Sequence, residues 1–563
     1  MLIEQMVASE WTKYSQQVSD SIQVLPFYNS HTLARQIFRK EVGENSGGAY
    51  VVYRGKVPSL FVLMENGEVT NLLIKETLKI SWTTIFTMIE NLFKQSFQAE
   101  ILFNFSRSLT LHLQEVFIQR GYTIQQDKRV IKKLSYRTAL VLGGGGARGA
   151  YQIGVWQALE ELAIPFDIIT GTSVGALNGA LILQDDFEAA KNMWEKIDTQ
   201  QILAFPTATA PSDTFSSMIG QIGSFTLNAL QSKGVSTQPL RNLIDDTFSK
   251  EKLEQNTIEF YLVTTQLPNM LEKVIDFNEC KNNQWQEWLL ASASFFPAMA
   301  AAKIGNNLYV DGGYRNNVPC DVALNHGATE CIVVDVKGPG ISKPIKVPEA
   351  TSYLFLQTPW SMGAVLLFDG ARSVQNIKLG YLETIRTISK KYLGYWYTFD
   401  ETFAQMEKFQ QAFFDFIRDA YQLNLWYSVE QQNKICKKLR KFYRDRVYSE
   451  NIGLVLLELL AKNQEITASK LYTIDELVES IQRSGEVKMD LVETIGMISI
   501  QEWLKKYYTD YFLLSEKQQV VLMTNILDAD EKEKPQRLAF LLDKLPVQVL
   551  QILMKEFIIQ GVK

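Results

Sequence analysis

Apolar and polar positions along this 563-residue chain fall into three regimes. Up to about residue 135, short apolar runs alternate with periodic stretches. Ala49–Tyr53 and Ser59–Met64 read as strands, and Glu65-Asn66-Gly67-Glu68 after them is a hairpin turn signal. Helical periodicity from about 83 to 98 is followed by a short strand, Ile101–Phe105. A second helix is expected over about 109 to 120, with Gly121 just beyond it as the C′ residue. From about 136, strand and helix patterns alternate, which predicts a mainly parallel sheet covered by helices. After about 345 the pattern is almost wholly helical, with amphipathic runs at Glu401–Leu423 and Asn451–Lys462. The expected organisation is a small α+β domain (1–135), an α/β domain (136–345) and an all-α region (346–563). Phe205–Ser224, rich in Ser, Thr, Gly and Pro, reads as a loop. No run of about 18 apolar residues predicts a membrane-spanning helix, and Met1–Ser15 lacks the basic-then-apolar pattern of a signal peptide.

Composition changes this picture little. A 46% hydrophobic and 21% charged chain can bury sizeable cores. The net charge of -5 argues against a nucleic-acid binder, which carries a basic excess. Cys280, Cys320, Cys331 and Cys436 form no CxxC pair, so no metal or redox motif is expected, and their sparse use suits the reducing cytoplasm.

The first chemistry lies in a loop. Tyr136–Leu142 reads as a buried strand running into Gly143-Gly144-Gly145-Gly146-Ala147-Arg148-Gly149, with a helix starting near Ala150. Backbone N–H groups in such a loop, together with the dipole of the following helix, build an anion site. Gly144, Gly146 and Gly149 satisfy GxGxxG, but Asp167 stands at the start of its strand, the wrong edge for holding a ribose. Ala150 occupies the position where a P-loop needs lysine. The oxyanion of a tetrahedral intermediate remains, alongside a plain glycine-rich turn. Arg148, a cation at a helix N-terminus, either orients the loop, meets a phosphate or is a surface residue.

The strand ending at Thr170 meets Gly171-Thr172-Ser173-Val174-Gly175, and a helix follows at once. Strand, GxSxG and helix together are the context of a nucleophile elbow, whose tight turn needs Gly171 and Gly175 to lack side chains. A serine that merely caps the helix is the alternative. If the strands ending at Leu142 and Thr170 are neighbours, the glycine loop and Ser173 share one cleft.

A nucleophilic serine needs a base. Of three histidines, His31 and His112 lie in the first segment, and His326 precedes the strand Cys331–Val336, at the amino edge of the sheet. Asp311, in Asp311-Gly312-Gly313 after Leu308-Tyr309-Val310, is the better candidate, although Asp-Gly alone is usually a turn. Partial burial would raise its ordinarily weak basicity.

At this point the chain resembles the patatin-like phospholipases, on blocks in the family's order. Gly144–Gly149 is similar to the family's oxyanion loop, Gly171–Gly175 to its nucleophile elbow and Asp311–Gly313 to its DG[GA] block. Ala291-Ser292-Ala293-Ser294-Phe295-Phe296-Pro297 is similar to the small-residue run before the aspartate strand, and parts of 359–381 resemble a segment of bacterial members. The match covers about 200 residues. It implies a three-layer α/β/α hydrolase core with a mainly parallel sheet, and a Ser173–Asp311 dyad. It also implies an oxyanion hole from Gly144, Gly145, Gly146, Ala147, Arg148 and Gly149. Gly171, Thr172, Val174, Gly175, Gly312 and Gly313 would support the dyad. The resemblance further implies hydrolysis of lipid acyl esters through an acyl-enzyme, without histidine, metal or cofactor.

Lipid substrates raise the question of an interface. Tyr392, Tyr395, Trp396, Tyr397 and Phe399 cluster beside Lys390 and Lys391. Lys437, Lys438, Arg440, Lys441, Arg444 and Arg446 form a basic helical run with Phe442 and Tyr443, able to face anionic lipid or simply water. Peripheral contact with the inner face of a membrane is the corresponding expectation. Two other functions fit the sequence: an esterase, thioesterase or acyltransferase for soluble substrates, and a silent nucleotide-binding or scaffold protein.

Overall fold

The computed structural model describes residues 2–6, 11–28, 36–39, 48–65, 67–75, 80–126, 128–203, 236–280, 284–296, 298–348, 351–389, 391–423, 428–443, 447–484, 514–528 and 534–560. The loop expected at Phe205–Ser224 lies outside them, as do His31, Asn66, Pro297, Lys390, Arg444 and Arg446. The chain packs as two compact units. One comprises residues 1–4, 20–35 and 50–389, the other residues 5–19, 36–49 and 390–563. The boundary expected near 345 falls inside the first.

The first unit holds two sheets. The earlier one contains β1 (Leu2–Gln5), β2 (Ser21–Gln23), β3 (Ala49–Arg54), β4 (Val57–Glu65), β5 (Glu68–Lys75), β6 (Glu100–Asn104), β7 (Thr123–Ile124) and β8 (Arg129–Lys133). Their order is β1-β3-β4-β5-β6-β8-β7, with β2 also on β5. β4 and β5 form the expected antiparallel hairpin, and Gly67 supplies a φ of +82° in its turn. The helices are Trp82–Lys94 and Leu111–Gln119, and Gly121 beyond the second is left-handed at φ +82°, as the sequence predicts. Phe86, Phe103, Phe105, Phe117 and Tyr122 close this core with mostly tilted and edge-on ring contacts. His112 is exposed on the second helix.

The second sheet is the α/β layer. Its strands are β9 (Thr138–Leu142), β10 (Ile168–Thr172), β11 (Glu259–Leu267), β12 (Leu271–Asp276), β13 (Ala302–Ile304), β14 (Asn307–Asp311), β15 (Glu330–Val334) and β16 (Ser352–Leu356). The order is β13-β14-β11-β10-β9-β15-β16, with β12 on β11. β11, β10, β9, β15 and β16 run parallel, while β12 and β14 each pair antiparallel with β11, and β13 pairs antiparallel with β14. Every residue of β9, β10 and β15 is buried, the continuous burial that a strand covered on both faces requires. The helices Ala150–Glu161 and Val174–Leu183 follow β9 and β10 directly.

The helix Gly370–Ser389 belongs to this unit and crosses Ala150–Glu161 closely. Between them Tyr151 donates to the buried Glu383 carboxylate at 2.7 Å, and Thr358 donates to its other oxygen at 2.9 Å. Burial pushes the Glu383 carboxyl above its ordinary range.

Among the described residues from 390 on, the second unit is helical apart from two-residue strands at Thr398–Phe399 and Leu471–Tyr472. Phe403–Tyr421 and Ile452–Asn463 realise the two predicted amphipathic runs. No helix among the described residues is long and apolar enough to cross a membrane. None of the five clustered aromatics is exposed, and Tyr397 and Phe399 are fully buried. The N–H groups of Tyr395 and Tyr397 both donate to the buried Glu458 carboxylate. Tyr397 and Phe399 are therefore part of a core, while Tyr392, Tyr395 and Trp396 are half-buried. In the basic run, Lys437 and Lys441 are exposed, Lys438 donates to the Lys544 carbonyl, and Leu439 and Tyr443 point into the core.

Candidate active site

β9 and β10 are adjacent and parallel, with Gly171 opposite Leu142, so the loops that leave their carboxyl ends meet. A Cβ built on Gly144 would lie 3.2 Å from that of Ser173. The glycine loop and the elbow thus share one cleft.

Ser173 sits between β10 and its helix at φ +56°, a conformation L-residues adopt only under constraint. The constraint is visible. A Cβ on Gly171 would lie 2.5 Å from the Gly175 carbonyl oxygen, and one on Gly175 would lie 2.1 Å from that of Leu142. Only hydrogen fits at either position. Thr172 donates to the Asn316 carbonyl at 2.8 Å. The Ser173 N–H donates at 3.0 Å to Ser292 Oγ, which itself donates to the Val263 carbonyl at 2.7 Å.

Asp311 ends β14 and is paired with Thr264 of β11. Its Oδ2 accepts from Ser173 Oγ at 2.5 Å, and its Oδ1 accepts from the Gly313 N–H at 2.7 Å. The carboxylate is buried, and burial pushes its pKa up to about 6 against the lowering effect of those two hydrogen bonds. Gly312 has no room for a side chain, since a Cβ there would lie 2.2 Å from the Val263 carbonyl oxygen. His326 is elsewhere: exposed past the helix Cys320–Asn325, its ring stacks on Tyr261 at 3.7 Å.

In the glycine loop, the N–H groups of Gly143, Gly144, Ala147 and Arg148 donate to the carbonyls of Val334, Asn317, Val365 and Gly145. Those of Gly145 and Gly146 have no partner among the described residues, and both glycines line the same groove as Ser173 and Asp311. Gly146 is left-handed at φ +56°, and a Cβ on it would lie 2.2 Å from the Val365 carbonyl oxygen. Gly149 packs under Val174 and Trp194. Arg148 is half-buried beside the loop. Its guanidinium donates to the carbonyls of Gly363, at 2.8 Å, and Lys337, which fastens the loop to two later segments.

The groove is partly open to solvent. Leu177, Leu181, Trp194, Leu240, Ile244 and Phe248 give it an apolar wall, and the polar groups converge at Ser173 and Asp311. Two supporting side chains lay outside the sequence expectations in this role. Ser292 was visible only as part of a small-residue run, and Asn317 follows Gly313 in an unremarked Arg315-Asn316-Asn317-Val318-Pro319. Asn317 donates to the Gly144 carbonyl at 3.2 Å.

Residues 140–324 match the sequence model of the family described as patatin-like phospholipase. Patatin-like phospholipase domain-containing protein 7 of Rattus norvegicus is 32% identical over 205 residues, 35% of this chain and 13% of that protein. Patatin-like phospholipase domain-containing protein 6 of Homo sapiens is 30% identical over 236 residues, 40% of this chain and 15% of that protein. Neuropathy target esterase sws of Drosophila melanogaster is 31% identical over 203 residues, 35% of this chain and 13% of that protein. This chain thus spans only about one seventh of these relatives' length. Among solved structures, VipD from Legionella pneumophila aligns over 78% of this chain and 95% of its own, at 13% identity and a TM-score of 0.30. Residues 140–324 are thus similar to the patatin-like phospholipases, and the named relatives, all animal proteins, do not support the narrower expectation of a bacterial member.

Proposed function

We propose that this protein is a lipid acyl hydrolase of the phospholipase A or lysophospholipase type, working through Ser173 and Asp311. The observation that carries the reading is the 2.5 Å hydrogen bond from Ser173 Oγ to a buried carboxylate at the mouth of an apolar groove. An acyl chain lies along the apolar wall with its ester carbonyl at Ser173. Asp311 accepts the hydroxyl proton as Oγ attacks the carbonyl carbon. The oxyanion is held by the N–H groups of Gly145 and Gly146, for which one donor is typically worth about 2.7–4 kcal/mol. The tetrahedral species collapses, the Asp311 proton passes to the leaving alcohol oxygen, and the acyl group stays on Ser173. Water, deprotonated by Asp311, then attacks the acyl-enzyme, and the proton returns to Oγ as the fatty acid leaves. No cofactor or metal takes part. Four free cysteines fit action in the cytoplasm, against the inner face of a membrane.

The test pairs a fluorophosphonate probe with hydrolysis of p-nitrophenyl acyl esters and of phospholipid vesicles. Wild type should label at Ser173 and cleave both substrates, while Ser173→Ala and Asp311→Asn should lose cleavage by about three orders of magnitude or more. Full activity in either variant overturns the dyad. Labelling with cleavage of soluble esters only would favour an esterase, thioesterase or acyltransferase. Absence of labelling would favour a silent scaffold.

A further inference from the structure

Which way a peptide group faces decides whether a glycine loop attracts or repels an oxyanion. A trans peptide turns its C=O and the following N–H to opposite sides. The Gly145 N–H therefore takes its direction from the Gly144 carbonyl. That carbonyl is gripped by the side chain of Asn317, whose Nδ2 donates to it at 3.2 Å and lies 3.5 Å from the Gly338 carbonyl. Resting on the serine-hydrolase reading above, we propose that Asn317 is a positioning residue, which holds the Gly144–Gly145 peptide with its N–H directed to the oxyanion.

Three features support this role. Asn317 is buried at 3% exposure, so its amide has no solvent alternative to these carbonyls. Its own main chain is pinned on both sides: its N–H donates to Ile341 at 2.8 Å, and its carbonyl accepts from Gly144 at 3.0 Å. The amide is also fitted between glycines, since a Cβ on Gly144 would lie 2.5 Å from Asn317 Oδ1 and one on Gly313 would lie 2.8 Å from it. The peptide that Asn317 holds is flanked by two glycines, the residue type with least steric resistance to rotation. Released, that peptide can turn its carbonyl oxygen to the place where negative charge develops. Asn317 thus ties the glycine loop to the segment that follows Asp311-Gly312-Gly313.

Asn317→Leu keeps the volume and removes the donor, and Asn317→Ala removes both. Each is assayed with a p-nitrophenyl ester, with active sites titrated by fluorophosphonate so that kcat refers to folded enzyme only. The expected result is a fall in kcat per site of about 100-fold, the size seen when one oxyanion donor is lost. KM should stay within about twofold, the acid limb of the pH profile should keep its midpoint, and the rate of phosphonylation of Ser173 should fall in parallel. A purely structural role would lower the titrated fraction and leave kcat per site unchanged. If the leucine variant does not fold, the alanine variant is read by the same criteria. A kcat per site within about threefold of wild type, or an effect confined to KM, overturns the proposal. Wild type that neither labels nor hydrolyses overturns its premise as well, an outcome distinct from an active wild type with unaffected Asn317 variants.

Discussion

The Asp311 carboxylate accepts two hydrogen bonds, and burial still outweighs them, which leaves its pKa raised to about 6. The base role proposed for it requires the ionised form. We therefore expect kcat/KM to fall as pH drops through about 6 and to level off above it. The stability consequence has the opposite sense. A carboxyl whose folded pKa is raised from 3.8 to about 6 favours the folded state below 3.8, and that contribution is lost as pH rises through 6. Roughly two pKa units correspond to about 3 kcal/mol. Asp311→Asn, neutral and of the same shape, should accordingly be inactive yet more stable than wild type at pH 8, by up to that amount in urea denaturation. A variant less stable than wild type at pH 8 would contradict this origin of the shift. Ser173 was legible in the sequence because its constraints are local: Gly171 and Gly175 lie two residues on either side, in the hydrophobic context of a strand and a helix. Ser292 and Asn317 were not, because the groups they hold are 119 and 173 residues away in sequence.

Among the elements, the helices Ala150–Glu161 and Gly370–Ser389 pack closely on each other. A Cβ on Gly154 would lie 1.8 Å from the Ile377 carbonyl oxygen, and one on Gly380 would lie 2.1 Å from that of Tyr151. Both obstacles are backbone, so neither can swing aside. Gly154→Ala, which would gain helix propensity in isolation, should here destabilise the first unit by about 2–3 kcal/mol through overpacking, measured by chemical denaturation. The strands and helices of the sequence reading lie within a few residues of those found. What pattern alone did not reveal was that β16 completes the parallel sheet and that Gly370–Ser389 packs on the same unit. β16 is an edge strand with Tyr353 and Leu354 only half-buried and Phe355 45% exposed, so it lacks the continuous burial that marks β9, β10 and β15. The aromatic cluster at 392–399 is ambiguous in sequence for a related reason. Aromatic residues beside lysines suit an interface as well as a core, and the core place of Tyr397 rests on a backbone hydrogen bond to the buried Glu458, 61 residues away in sequence.

At the scale of the whole chain, every residue of the proposed site lies in the first unit, while the second draws on residues 5–19, 36–49 and 390–563. Tyr14, Val18 and Phe38, from those early stretches, are buried. A fragment of residues 390–563 alone lacks them. We expect it to melt earlier and less cooperatively than the same unit within the full chain, as differential scanning calorimetry or hydrogen exchange would show; equal protection would argue that the early stretches contribute nothing.

The fastening of the glycine loop has a consequence for when the protein becomes reactive during synthesis. Arg148 is anchored to Gly363, 215 residues later, and Ala147 to Val365. A ribosome that has completed Ser173 and Asp311 has therefore not yet made the carbonyls that hold the loop in place. Under the mechanism proposed above, the nascent chain would carry its nucleophile before the loop beside it is fastened, and the last part of the proposed site to arrive is main chain that does no chemistry itself.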